Sequence, residues 1–163
     1  MRYRLALAIL GGLVGCGGNG AGVTSGPDMA TAPLVGKLCT DARADAWTLP
    51  IHKTSEKGTF AVTLMASQAP VPVIGDNHTT WTVQVADPNG APLAGATLTA
   101  TPYMPDHHHG TSVPAAVTPA ATAGQYTIEP LYFFMAGYWQ ITIAITAGDV
   151  SDSVVFSLCL TDA

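Results

Sequence analysis

The chain has 163 residues, of which 10% are charged and 48% hydrophobic, with a formal charge of −5 at pH 7. That is too apolar for a disordered polypeptide and long enough for one domain with additional segments. Seventeen glycines and twelve prolines punctuate it densely, a composition that breaks helices and suits many short strands.

Arg2 and Arg4 precede an apolar stretch that begins L-A-L-A-I-L at 5–10 and runs to Val14. It is too short to cross a bilayer as a helix and reads as a secretory signal over residues 1–15. The stretch ends in L-V-G-C at 13–16, which resembles the lipobox of bacterial lipoproteins, a small-residue cleavage site followed by an obligatory cysteine. The resemblance implies that Cys16 becomes the lipidated first residue, so that lipid alone attaches the protein to a membrane. An ordinary secretory signal beside an unrelated cysteine is the competing reading. Gly17 is not the aspartate that marks inner-membrane retention in the resembling lipoproteins of two-membraned bacteria. The expected location is therefore the cell envelope, facing the periplasm or the cell exterior, with the outer membrane favoured. Loss of Arg2 and Arg4 takes the six basic residues to four against eleven acidic ones, a formal −7. No basic patch remains to neutralise phosphates, which argues against nucleic acid as a partner.

Residues 16–45 are expected to be a flexible tether and transition segment; the tether opens G-G-N-G-A-G-V-T-S-G. Cys39 lies in that segment and Cys159 lies at the far end of the chain. Outside the cytoplasm such a pair tends to oxidise, and a Cys39–Cys159 disulfide would tie the leading segment to the last strand. Two free thiols, or thiols that bind copper, form the alternative.

The domain is expected over 46–163, and from Gly58 its pattern is β. Phe60, Val62 and Leu64 alternate with Ala61, Thr63 and Met65. Trp81, Val83 and Val85 alternate with Thr80, Thr82 and Gln84. This is the period of a strand with one buried face. D-P-N-G at 87–90 is a turn. Ala96, Leu98, Ala100 and Met104 then share one phase, as do Tyr126 and Ile128, then Trp139, Ile141, Ile143 and Ile145. Val154, Phe156, Leu158 and Leu160 close the series, after a turn signal at Gly148 and Asp149. About seven strands at regular spacing predict an all-β fold, an immunoglobulin-like β-sandwich. Trp81 and Trp139 are its expected core anchors.

M-P-D-H-H-H-G at 104–110 holds three of the five histidines. Pro102 and Pro105 pull the chain out of regular pairing, so the histidines are expected at a strand end or in the loop after it. In an extended segment His107 and His109 point to one side and His108 to the other. Two imidazoles on one side can close on one ion. Imidazole suits copper, zinc or nickel, and a thioether from Met104 or Met135 favours Cu(I). Asp106 offers a carboxylate or a supporting acceptor, and His78, which opens the Trp81 strand, is expected at the same end of the sandwich. A solvated turn that binds metal only weakly is the competing reading.

The run from Val83 to Trp139 resembles the YtkA-like family, related to FixH-like domains. The matching features are D-P-N-G-A-P-L-A-G-A, then M-P-D-H-H-H-G, a spaced G-Q-Y, and F-M-A-G-Y-W. The resemblance implies a periplasmic or membrane-attached β-sandwich linked to copper handling and to assembly of copper-containing oxidases. It implies Met104, His107, His109 and Met135 at the motif positions, with Gly137 and Trp139 beside the loop. Asp106 stands where family members often carry methionine or glycine, which leaves room for Cu(II) as well as Cu(I).

The function so expected is a lipid-anchored copper chaperone or buffer, its partners a metal ion and a copper-accepting envelope protein. A non-enzymatic interaction module, with the histidine loop as a protein-contact surface, is the alternative. No G-x-S-x-G, H-E-x-x-H or paired carboxylates speak for an enzyme.

Overall fold

The computed structural model describes residues 37–67 and 79–162. The signal segment, Cys16, the glycine-rich tether and His78 lie outside the described residues.

The described residues form ten strands and no helix. In chain order these are β1 (Lys37–Leu38), β2 (Ile51–Thr54), β3 (Ala61–Ser67), β4 (Thr79–Ala86) and β5 (Thr97–Met104). There follow β6 (His109–Gly110), β7 (Ala116–Pro119), β8 (Gln125–Leu131), β9 (Gly137–Ala147) and β10 (Val150–Thr161). They pair into two antiparallel five-stranded sheets, ordered β1-β10-β9-β5-β6 and β2-β3-β4-β8-β7. The count exceeds the seven or so expected because three short edge pieces, β1, β2 and β6, of two to four residues, add to it. The two-residue pieces β1 and β6 are too short to show an alternation.

The long strands follow the period-2 rule closely. On β5, Leu98, Ala100 and Met104 are buried while Thr97, Thr99 and Thr101 are exposed. On β9, Trp139, Ile141, Ile143 and Ile145 are buried together. The inner faces of both sheets feed one hydrophobic cluster, with Trp81 and Trp139 both fully buried in it, so the architecture is a β-sandwich. Hairpin chemistry fixes the register. Gly148, at φ 58°, turns β9 into β10, a conformation glycine adopts without steric cost. At the 87–90 turn the Asp87 carboxylate accepts from the amides of Asn89 and Ala91, at 2.8 and 2.9 Å.

Residues 39–48, which the sequence places across the tether boundary, run along β10 as a strap. The Cys39 amide donates to the Cys159 carbonyl at 3.0 Å, and the two cysteines are disulfide-bonded. The Asp45 amide donates to the Ser157 carbonyl, and the Ser157 amide returns a bond to the Asp45 carboxylate at 2.7 Å. Trp47 packs on Trp81 with ring centroids 5.6 Å apart.

The two sheets are also joined through Asp152 on β10. Its carboxylate accepts from the amide of Lys57 and from the hydroxyl of Thr59, in the β2–β3 turn, and from the Ser153 amide. Burial pushes this carboxyl up, but hydrogen bonds from Ser55, Thr59, Ser153 and Lys57 outweigh it and hold the group well below the usual carboxylate range. A depressed folded-state pKa gives stability that is complete above the unfolded value of 3.8 and is lost as pH falls below it. Thermal melts of wild type and Asp152→Asn from neutral pH into acid should therefore converge as the pH drops below that value. Parallel profiles would show that Asp152 is not responsible for the acid loss.

Candidate metal centre

The histidine stretch is a tight hairpin. Met104 pairs with His109 and Tyr103 with Gly110 across β5 and β6. The four intervening residues, 105–108, make the turn, and the His107 amide donates to the Met104 carbonyl at 3.2 Å. His108 takes the left-handed position at φ 57°, a conformation in which histidine is among the more tolerated side chains. The extended geometry expected from sequence does not hold there. The turn nonetheless achieves what extension would have done, because it leaves the rings of His107 and His109 5.7 Å apart between centroids. A metal–imidazole bond of about 2 Å puts each ring centroid about 3 Å from an ion, so two rings sharing one ion have centroids about 5–6 Å apart. The observed spacing lies in that range. His108 is exposed at the tip.

His109 is oriented by its neighbours. Its Nδ1 lies 3.1 Å from the Gly110 carbonyl oxygen. A carbonyl only accepts, so this bond requires the proton on Nδ1 and leaves the Nε2 lone pair free, the usual second contact of a metal-binding imidazole. Phe134 stacks on the ring at 5.3 Å and the edge of Trp139 meets it at 6.2 Å. Tyr132 in turn stacks on Phe134 at 5.9 Å. These rings wall off one side of the loop.

Gly137, the first residue of β9, forms the floor. Its φ is 127°, and a Cβ built there would stand 2.7 Å from the Met104 methyl carbon and 4.0 Å from His107 Nε2. The thioether end of Met104 and the outer nitrogen of His107 thus converge on one bare patch of backbone. Met104 is completely buried. Burial of such a side chain contributes about 1.5–3 kcal/mol irrespective of any ligand, which makes Met104 a core residue as well as a candidate donor.

Met135 is partly buried against the core, and its carbonyl accepts the Trp139 indole N–H at 3.0 Å. Its backbone is thereby fixed to the residue that flanks His109. Asp106 does not join the imidazoles. Both its oxygens are taken by Arg43, at 2.7 Å each. Arg43 also bonds Asp41 and lies over the Tyr138 ring at 4.2 Å. It holds the Asp106 carboxyl below its ordinary value, and that of Asp41 down to about 2. His52 sits on β2, bonded to Thr63. Among the described residues no three His, Cys, Asp or Glu side chains are gathered as a metal-holding group.

Sequence reasoning passed over Arg43 and Phe134. Nothing local announces a pairing across 63 positions, and the only signal for Arg43 is the scarcity of charge around D-A-R-A-D. Phe134 was visible within F-M-A-G-Y-W but carried no assigned role.

The class is thus a two-sheet, all-β domain that presents a His/Met hairpin against a glycine at the start of a core strand. The chain belongs to the YtkA-like family, whose family model matches residues 53–144. That span runs from β2 into β9 and includes the whole hairpin and its floor, while Cys39, Arg43 and Cys159 lie outside it. Neither a curated protein nor a solved structure matches the chain.

Proposed function

We propose that this protein is a lipid-anchored component of the cell envelope that binds a metal ion, copper first, through the histidine hairpin and hands it to a copper-accepting partner. The observation that carries the reading is the convergence of His107 and the Met104 thioether on the bare face of Gly137, with His109 alongside and its Nε2 freed. Imidazole with thioether is a donor set that accommodates both Cu(I) and Cu(II) at modest affinity. Few donors and an exposed His107 suit exchange by ligand substitution. That is the behaviour of a chaperone or buffer, with oxidase assembly as its setting, rather than of an enzyme. The lipid anchor at Cys16, with the outer membrane favoured, belongs to the same proposal and rests on the L-V-G-C motif.

The fold is proposed to be immunoglobulin-like. Strand order β3-β4-β8-β7 facing β5-β9-β10 has the connectivity of the four- and three-stranded sheets of that plan. On this reading seven strands form the frame, and β1, β2 and β6 are short edge additions.

Competition titration of the full chain in detergent with Cu(I) and with Cu(II), against chelators of known affinity, tests the function. Stoichiometric binding is expected, and the double variant His107→Ala/His109→Ala should weaken it by about 100-fold or more while leaving the melting temperature nearly unchanged. Binding no tighter than that of a free tri-histidine peptide, or equal in the variant, would sink the metal reading.

One observation favours the second reading, a protein-contact surface. Phe134 and Tyr103 are large exposed side chains close to the hairpin in sequence or in space. In that case the same double variant would abolish partner capture and leave copper binding unaltered.

A further inference from the structure

We infer that Arg43 sets the metal preference of the hairpin by holding the Asp106 carboxylate out of the ligand set. The inference rests on the metal-binding reading above and concerns which ion that centre takes.

Asp106 immediately precedes His107 in the turn. A free carboxylate there is a hard oxygen donor within one residue of an imidazole ligand, and oxygen donors shift a site from Cu(I) toward divalent ions. In this protein neither oxygen is free. Arg43 Nη1 and Nη2 grip the two carboxylate oxygens, each at 2.7 Å. The planar fork of a guanidinium makes that two-point grip, and a lysine ammonium does not.

The guanidinium is itself held from two other directions, and the backbone that carries it is fixed as well. Asp41 accepts from its Nε and Nη2 at 3.0 and 2.7 Å. The Tyr138 ring lies beneath it at 4.2 Å. The Arg43 carbonyl accepts from the hydroxyls of Tyr138 and Ser157, on a strap covalently fixed by Cys39–Cys159. Arg43 and Asp106 are each about half exposed, and an isolated pair of that kind would yield readily to a competing cation. Two further anchors on the guanidinium, and a fixed backbone beneath it, make the release harder. A divalent ion that recruits Asp106 has to break the fork and leave Arg43 with Asp41 alone as its counter-ion. A Cu(I) ion held by imidazole and thioether leaves the fork intact. Arg43 therefore acts as a specificity residue without touching the ion.

The test compares wild type, Arg43→Gln, Arg43→Lys, Asp106→Asn and Arg43→Gln/Asp106→Asn as full chains in detergent. Each is titrated with Cu(I), under a reductant that spares the disulfide, and with Cu(II), whose complex is also read by EPR. Arg43→Gln is expected to raise the Cu(II)-to-Cu(I) affinity ratio about 10-fold, the scale of effects from groups that orient ligands. Its EPR spectrum should gain oxygen character. Arg43→Lys should show a smaller rise in the same direction. Asp106→Asn alone, which keeps Arg43 on Asp41 and Tyr138, should leave the ratio at the wild-type value, and the double variant should return to it. An unchanged ratio in Arg43→Gln, or a gain that survives in the double variant, overturns the inference while metal binding stands. A loss of Cu(II) affinity in Asp106→Asn alone also overturns it, since the carboxylate would then already be a ligand. No binding by wild type removes the metal-binding reading and this inference together.

Discussion

The Gly137→Ala variant is expected to lose about 2–4 kcal/mol of stability, and its metal affinity should fall with it. Two effects add. A φ of 127° is essentially reserved for glycine, and a side chain forced into such a conformation costs about 1–3 kcal/mol. The new methyl would also stand 2.7 Å from the Met104 methyl carbon, the far end of a flexible side chain, so overpacking adds the low end of its usual cost, about 1 kcal/mol. Met104 is the flexible partner, fully buried at the end of β5 where the hairpin begins. Its displacement is therefore expected to disturb the hairpin. Urea unfolding of Gly137→Ala, Met104→Ala and the double variant separates the two effects. If the clash matters, the double variant is more stable than the sum of the single losses predicts, because a shortened residue 104 relieves it. Strict additivity would leave backbone strain as the whole cause, and Gly137 would no longer be the floor that shapes the site.

Removal of the disulfide should be the larger loss in stability. Cys39 and Cys159 are 120 residues apart, and the chain-entropy treatment assigns about 4–5 kcal/mol to closing a loop of that size. Domains of this kind have about 5–15 kcal/mol in total, so Cys39→Ala/Cys159→Ala should lie near the limit of folding. Chemical unfolding should show a lower midpoint, with a steeper dependence on denaturant because the unlinked unfolded chain exposes more surface. A loss under about 1 kcal/mol would mean that the hydrogen bonds between the strap and β10 suffice by themselves. The same variant, where it folds, bears on the site. Freed at residue 39, the strap holds Arg43 less firmly, and the Cu(II)-to-Cu(I) ratio should move in the direction of Arg43→Gln.

The long strands were legible because each carries buried residues at every second position over much of its length. Val62 and Leu64, Trp81, Val83 and Val85, and Ile141, Ile143 and Ile145 announce a two-residue period that only a half-buried strand explains. The phase that placed Met104 with Leu98 and Ala100 put it in the core, where it is. The disulfide followed from compartment and count. The short edges were not legible. In β2 the half-buried Ile51 and Lys53 alternate with exposed His52 and Thr54, and a lysine on the inner side hides the pattern. Lys53 is there because its ammonium reaches the Val155 carbonyl and the Asp45 carboxylate, both at 2.6 Å, contacts that no local window reveals. The site was half legible. Residue type pointed to His107, His109 and Met104, and the family motif pointed to Gly137. The fate of Asp106 depended on Arg43, which arrives from outside the matched family span. Charge pairing between distant segments is written in the fold and not in the spacing.

The bond between Cys39 and Cys159 also makes the domain a covalent ring. All of β2 through β9 and most of β10 lie between the two cysteines. A protease that cuts one exposed loop within the ring, the histidine turn included, opens the circle without parting the pieces. The nicked protein keeps its mass until the sulfurs are reduced, and the cut ends remain held beside each other by the sheets. A single scission is then survivable, and only a second cut or a reductant releases a fragment.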